Sequence, residues 1–370
     1  AMPPQFHSLT ISDIQHFGDF AVSVRFEVPP ALADAFHFLP GQYLTLKADL
    51  DGVETRRPYS ICSAPEDDGI SVGIKHVDGG VFSSHALTGL SVGDSMDVMT
   101  PQGRFIYDPA AVTLPDRYAD NHILLLAAGS GITPMLSIAR AALSASDTTR
   151  VTLVYGNRNT ASIMFRDLVE DLKDRYLDRL RLLHILSREA RDTELLNGRV
   201  DKAKITSLIT AGLITPQDVT AAFLCGPDSM ITDCRDALVA GGMGEDRIAF
   251  ERFTPAPRAA GSTRPVKPAA KARSKAGVVD VDIRVDGVNR HYQMDPARDT
   301  VLAAARTAGL ELPFSCEAGM CCTCRCKLIE GDVEMDANFS LEQWEIDGGY
   351  ILSCQARPIS KQISIDFDAV

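Results

Sequence analysis

Residues 255–277, PAPRAAGSTRPVKPAAKARSKAG, keep this 370-residue chain from folding as one body. The segment holds four prolines and six Lys or Arg side chains, and it contains no acidic or aromatic residue. It cannot bury enough apolar surface to offset the entropy lost on ordering, so it reads as a linker. As a flexible chain its 23 residues have an end-to-end distance of about 25–30 Å. The domain after the linker can therefore move relative to the part before it.

Two patterns precede the linker. In residues 1–112, AVSVRFEV, GQYLTLKADL, TRRPYSICSAP, GISVGIKHV and DSMDVMTP alternate or run apolar between Gly, Pro and Asp, which predicts an antiparallel β-barrel. In residues 113–254 the buried-type strands HILLLAAG, VTLVYGNR, LRLLHILS and TAAFLCG alternate with helical stretches, which predicts a parallel α/β sheet. After the linker, residues 278–370 open with a hairpin, VDIRVDGVNRHYQM, and a helix, TVLAAARTAGL. A cysteine loop and short strands then complete a small α+β domain.

Charge narrows the partners. The chain carries a net −12 at pH 7, which argues against nucleic acid. The last 93 residues hold sixteen acidic and eight basic side chains, the linker is +6, and residues 1–254 carry the remaining −10. The acidic C-terminal part is suited to steering towards a basic protein surface, although a plainly solvated surface has the same composition. No apolar run is long enough for a membrane span, and no secretory signal is visible, so the expected location is cytoplasmic.

Five of the nine cysteines fall between Cys316 and Cys326. Without an export signal, such clustering points to metal or redox chemistry rather than disulfides. Cys316-x4-Cys321-x2-Cys324, with Cys354 further on, has the plant-type [2Fe–2S] spacing. Gly319 lets the loop bend tightly and bring amide groups towards cluster sulfurs. Cys322 and Cys326 fall outside that spacing and read as non-ligands. A zinc site is the alternative, but it would ordinarily use paired ligands, and Cys354 has no CxxC partner.

Four further motifs concern organic cofactors. Arg57-Pro58-Tyr59-Ser60 sets a flat aromatic beside a hydroxyl, which suits a flavin ring and its edge, and Arg57 offers a fork to phosphate. Gly79-Gly80-Val81-Phe82-Ser83-Ser84 then supplies a Gly/Ser phosphate cradle before a helix, with Ser83 as a hydroxyl donor. Ala127–Pro134, AAGSGITP, follows a strand and opens a helix, which suits a pyrophosphate as well as an ordinary tight turn. Cys225-Gly226-Pro227-Asp228-Ser229-Met230 follows a late strand, where a nicotinamide could reach the flavin, although Cys225 alone also reads as a buried small residue. Ser187-Arg188 and Arg158 at strand ends favour the 2′-phosphate of NADPH, an argument that the adjacent Glu189 blunts.

RPYS, GGVFS, GSGITP, SRE, CGPDSM and Glu251-Arg252-Phe253 occur in the order found in the ferredoxin–NADP reductase superfamily, which this chain resembles throughout except in the linker. Its C-terminal part resembles a plant-type ferredoxin, β-grasp-like in fold. The whole is similar to the reductase subunits of bacterial multicomponent oxygenases, and VEMDANFSLEQWEIDGGYILSCQARP most resembles those of phenylacetyl-CoA epoxidase. The resemblance implies that Arg57, Tyr59, Ser60 and Ser83 hold FAD, and that Gly129, Thr133, Ser187 and Arg188 hold NADPH. Pro58, Lys75, Val77, Gly80, Val81, Phe82, Arg158, Gly226, Pro227 and Met230 join the cofactor contacts. Ser60, Cys225 and Glu251 surround the hydride-transfer locus, and Phe253 stands where relatives place an aromatic over the flavin. Glu317 occupies a position where many plant-type ferredoxins have arginine.

The implied path runs from NADPH through FAD and the cluster to a terminal oxygenase component. An FMN- and NADH-using reductase of a Rieske oxygenase is the enzymatic alternative, and a cluster-based redox sensor is the non-enzymatic one. Trp344, the single tryptophan, reads as a partly buried core residue in preference to a docking anchor.

Overall fold

A computed structural model describes residues 5–111, 120–253, 277–341 and 343–369. The linker apart from Gly277, and the expected boundaries at 112/113 and 254/255, lie outside the described residues. The chain divides into two compact units, one ending at Thr254 and the other beginning at Pro255.

The first unit starts with a six-stranded antiparallel sheet. Its strands are β1 (Phe6–Phe17), β2 (Ala21–Glu27), β3 (Tyr43–Leu50), β4 (Val53–Ser60), β5 (Ile70–Lys75) and β6 (Ser95–Met99), in the order β4-β3-β6-β1-β2-β5. A bridge between Ile61 and Val72, with the Cys62 amide donating to the Ser71 carbonyl at 2.9 Å, joins the two edges and closes a barrel. Closure removes the open edges that an isolated sheet would expose. The barrel core is the inward half of the alternation: Leu9, Ile11, Val22, Val24, Phe26, Leu44, Leu46, Val72 and Ile74 are all buried. Helix α1 (Val81–Thr88) plugs it with Phe82.

The same unit continues as a parallel sheet of β7 (His122–Ala128), β8 (Arg150–Asn157), β9 (Leu180–Leu186), β10 (Ala221–Gly226) and β11 (Ile248–Arg252), ordered β11-β10-β7-β8-β9. Helices α2 (Ile132–Ala145), α3 (Arg166–Arg175), α4 (Lys202–Thr210) and α5 (Asp228–Ala240) alternate with the strands. Strand β7 is central, so both its faces are covered and it reads as an unbroken apolar run. The chain builds outward from β7 to β9, then returns to lay β10 on the other side. The topological switch point therefore lies between β7 and β10, where open α/β sheets bind their ligands.

The second unit holds a mixed sheet, β13-β12-β18-β14-β16. Its strands are β12 (Val279–Val285), β13 (Val288–Met294), β14 (Arg325–Glu330), β16 (Tyr350–Leu352) and β18 (Gln362–Asp366). A two-stranded piece pairs β15 (Val333–Met335) with β17 (Ala356–Pro358). Helix α6 (Val301–Thr307) buries Val301, Leu302, Ala304 and Ala305 in this core.

Trp344 departs from the sequence expectation. On the short helix α7 (Gln343–Asp347) it is 61% exposed, whereas its neighbour Glu345 is fully buried. The inversion has a cause: Arg325 pairs with the Glu345 carboxylate, and its guanidinium lies 4.2 Å over the Tyr350 ring. A buried carboxylate needs such a partner, and satisfying it turns the indole outward. Among the described residues, no helix is long and apolar enough to cross a membrane.

Candidate redox centres

Three residues distant in sequence meet at the barrel's junction with the parallel sheet. Ser60 ends β4, and its hydroxyl donates to Glu251 Oε2 at 3.2 Å. Glu251 lies directly opposite Cys225 in the parallel register of β11 and β10. Glu251 is partly exposed as a residue, yet the surrounding protein desolvates its carboxyl and pushes its pKa up to about 8, against the pull of the Ser60 hydrogen bond. Burial, then the Glu251 charge, pushes the Cys225 thiol well up, so the thiol is neutral. The switch point is also tight. A Cβ on Gly131 would stand 2.1 Å from the Cys225 carbonyl oxygen, so only glycine brings this turn against β10.

Arg57 and Tyr59 share one face of β4 by its two-residue period. The Tyr59 ring packs on Phe82 with centroids 5.7 Å apart, and burial raises its hydroxyl pKa. Phe82 is 2% exposed, so its ring supports Tyr59 from below and leaves only its amide for a ligand. Gly80 caps α1 without a side-chain hydrogen bond, which leaves the first amides of the helix open for a phosphate. A Cβ at Gly80 would fall 2.7 Å from Ser83 Oγ and 2.9 Å from the Val77 carbonyl. Ser83 is engaged within this loop: it donates to the Gly80 carbonyl at 3.2 Å and accepts from the Val77 amide at 3.1 Å. Its hydroxyl thus shapes the cradle rather than lining it. The side chains of Val77 and Val81 are exposed, and Pro58 is half-buried in β4 beside Thr45. This cradle and aromatic shelf fit a flavin with a phosphate tail.

At the other half of the junction, Gly129 has φ +55° and a Cβ there would meet Lys75 Nζ at 3.1 Å. Burial and then the Arg158 charge lower the Lys75 pKa, so Lys75 stands at the glycine turn within the field of a second cation. The Tyr155 hydroxyl donates to the Gly129 carbonyl at 3.0 Å and clamps that turn from β8, a contact the motifs do not reveal. Thr133 is 1% exposed and donates to the Ser130 carbonyl at 3.0 Å, so it braces the turn from within. Arg158 and Arg188 are exposed and enter no ion pair among the described residues. The Arg188 amide donates to the Arg158 carbonyl at 2.7 Å, and the Ser187 amide to the Asn157 carbonyl at 3.0 Å, which brings the two strand ends together. Glu189 turns away: its carboxylate accepts from the Thr160 amide at 2.8 Å and the Thr160 hydroxyl at 2.6 Å. Both bonds hold its pKa low. Met230 is buried against Gly226, Pro227 caps α5, and Phe253 packs half-buried on the core of the parallel sheet.

One contact was invisible to motifs. Arg140, in the middle of α2, makes a bidentate pair with Asp67 of the barrel at 2.5 Å for both bonds, and the Ser144 hydroxyl donates to Glu66 at 3.1 Å. The pair is partly shielded, so each charge keeps much of the other's field.

In the second unit the cysteines form two pairs. Cys316 and Cys321 share one hydrogen bond, and Cys324 and Cys354 share another. Within each pair one thiol is held low by its partner, Cys316 down to about 6 and Cys354 likewise lowered. Amides surround them: Ala318 N–H reaches Cys316 Sγ at 3.4 Å, and Cys316 N–H reaches Cys321 Sγ at 3.4 Å. Gly319, at φ +75°, also gives its amide to Cys354, and a Cβ there would lie 2.9 Å from the Ala337 carbonyl. Among the described residues, no three His, Cys, Asp or Glu side chains are set to hold a single ion. A binuclear cluster would take two thiolates at each iron, and two cysteine pairs fit that demand. Cys326 is fully buried in β14 and belongs to the core, while Cys322 packs half-buried against that core.

Three family models match in succession: an oxidoreductase FAD-binding domain over residues 9–107, an oxidoreductase NAD-binding domain over 125–236, and a 2Fe-2S iron-sulfur cluster binding domain over 283–358. The chain belongs to the reductases of the ferredoxin–NADP reductase type that carry a [2Fe–2S] domain on the same polypeptide, and it is an oxidoreductase. Within that class it is 44% identical over 365 residues to a subunit of the 1,2-phenylacetyl-CoA epoxidase of Escherichia coli (strain K12), an alignment that covers 98% of each chain. It is 32% identical to the ferredoxin reductase component of 3-ketosteroid-9-alpha-monooxygenase from Rhodococcus rhodochrous, over 97% of this chain and 96% of that one. Phthalate dioxygenase reductase has the same fold at a TM-score of 0.57 and 23% identity, with 98% of each chain covered.

Proposed function

We propose that this chain is the NADPH-oxidising reductase of a multicomponent oxygenase, serving a diiron component of the phenylacetyl-CoA epoxidase kind. The observation that carries the proposal is the meeting of Ser60, Glu251 and Cys225 at the switch point, in a chain that also holds two cysteine pairs. A flavin held in the barrel would supply the chemistry that divides the nicotinamide's electron pair into single electrons for a cluster at the cysteine loop.

The chain's own residues supply position and electrostatics. Arg57, Tyr59 and the α1 amides at Val81 and Phe82 hold the flavin and its phosphate, within the cradle shaped by Gly80 and Ser83. Ser60 presents its hydroxyl at the ring edge, and Glu251, protonated up to about pH 8, keeps that locus neutral. Gly129 and the α2 N-terminus receive the pyrophosphate beside Lys75. Gly226, Pro227 and Met230 line the nicotinamide side, and Phe253 lies at the edge of the same core. Cys316, Cys321, Cys324 and Cys354 ligate the cluster. The working domains are residues 1–112, 113–254 and 278–370.

NADPH is favoured over NADH because Glu189, the acid that could take a ribose hydroxyl, is committed to Thr160. Arg158 and Arg188 remain as cations for the 2′-phosphate. The 44% identity to an epoxidase subunit of this class supports the choice of partner. An anaerobic NADPH titration tests the reading, with visible absorption and low-temperature EPR as readouts. Flavin bleaching with a rhombic reduced-cluster signal is expected, and flavin bleaching without that signal would refute the path. Arg188→Ala should reduce the NADPH/NADH ratio of kcat/KM by about tenfold or more.

A further inference from the structure

We propose that Trp344 is the anchor by which the [2Fe–2S] domain docks on its electron acceptor, a protein surface with an apolar pocket rimmed by Lys and Arg. The inference rests on the oxygenase-reductase reading above and adds to it the residue that makes the contact.

Leaving an indole 61% exposed forgoes much of the burial free energy that an aromatic side chain offers. Here the exposure is built in. Glu345 is drawn wholly inside by Arg325, Leu341 is buried in the core, and Trp344 is turned outward between these two fixed points. Tryptophan on a surface is among the residue types most often found as a binding hot spot, because it brings a large contact area with few rotatable bonds to order.

The anchor is also tied to the redox centre. Arg325 directly follows the ligand Cys324, so the bridge that orients α7 begins at the cluster loop. On the N-terminal side of the helix, the Phe339 amide and the Ser340 hydroxyl donate to the Gly319 carbonyl at 3.0 and 3.3 Å. Leu341 is three residues from Trp344, a reach of roughly 10 Å at most. Docking at Trp344 thus brings a partner to the side of the domain that carries the cysteine loop.

Charge selects the occupant. Residues 278–370 carry a net −8, and Asp347 closes the helix that bears Trp344. Residues 1–254 of the same chain carry a net −10 and its +6 lies in the linker, so in overall charge the better match for this acidic domain is a basic surface on another protein.

The test uses the full-length holoprotein and the purified catalytic component of a 1,2-phenylacetyl-CoA epoxidase. Trp344→Ala should weaken the Kd for that component by about thirtyfold, the scale of a hot-spot residue. Trp344→Phe should recover part of the loss. NADPH-driven cluster reduction, followed by EPR, and cytochrome c reduction should stay at wild-type rates. An unchanged Kd in Trp344→Ala, with wild-type binding intact, overturns the anchor alone. Slowed cluster reduction at an unchanged Kd would assign the indole to the chain's own flavin module and equally overturn it. Failure of the wild-type protein to bind or reduce the epoxidase component would instead defeat the oxygenase-reductase reading on which the anchor depends.

Discussion

Replacing Glu251 with glutamine isolates the electrostatic cost of the desolvated carboxyl that meets Ser60 and Cys225. The carboxyl's pKa rises from 4.5 to about 8 in the folded chain, mainly through desolvation. That gap of roughly 3.5 units corresponds to about 5 kcal/mol between the protonation states. The sign comes from proton binding. Below pH 4.5 both folded and unfolded chains hold the proton, and the residue costs nothing. Above 4.5 the unfolded chain releases it while the folded chain retains it, so wild-type stability falls as pH rises, until the folded carboxyl also ionises near pH 8. By pH 7 the loss reaches about 3 kcal/mol. Glutamine removes the charge and keeps an oxygen to accept from Ser60. Urea unfolding of the FAD-bound full chain, followed by the visible circular dichroism of the flavin, gives the stability of each form across pH. Other titrating groups cancel in the difference. The stability of Glu251→Gln minus that of wild type should climb by about 1.4 kcal/mol per pH unit between roughly pH 5 and 7.5. A difference that is flat in pH would show that the carboxyl is not desolvated, and the reasoning would fall.

Other outcomes hang on single contacts. Gly131→Ala puts a methyl 2.1 Å from the Cys225 carbonyl; the resulting shift of the dinucleotide turn should slow flavin reduction by NADPH about a hundredfold in stopped-flow, with FAD still bound. Cys354→Ala should abolish the cluster's visible bands and EPR signal, whereas Cys326→Ala should keep both and cost about 1–2 kcal/mol in a urea melt, as a small core truncation does. Asp67→Asn breaks the bidentate pair with Arg140 and should lower the stability of the first unit by about 1–3 kcal/mol, with a double-mutant cycle against Arg140→Met returning the coupling.

The residues that speak for themselves in the sequence are those whose chemistry is local. Cys316, Cys321 and Cys324 sit in one loop, so their spacing is legible as a motif, and a short apolar run such as HILLLAA between turn signals reads as a strand covered on both faces. The Ser60–Glu251 contact spans 191 residues and has no periodic signature; only family resemblance pointed to it. The Asp67–Arg140 pair had no signal at all, because surface-type residues carry no mark of a distant partner. At Phe82 the motif carries no sign of whether ring or amide faces outward, because burial of the ring is set by the barrel core. Trp344 defies its sequence for a definite reason. Hydropathy places tryptophan inside and glutamate outside, and a five-residue helix is too short for periodicity to correct it. Arg325, some twenty positions away, reverses both preferences.

Helix α2 follows the Gly129–Gly131 turn at its N-terminus, while two and three turns further on Arg140 and Ser144 grip the barrel. A single rod is therefore indexed against two surfaces that come from different parts of the chain. For anyone recombining such reductases, the barrel and the parallel sheet form one heritable part: exchanging either alone would pair an Arg140 with a stranger's loop and misregister the helix. The cut that leaves this gauge intact falls in the proline- and lysine-rich stretch after Phe253, so new electron outlets are best grafted there.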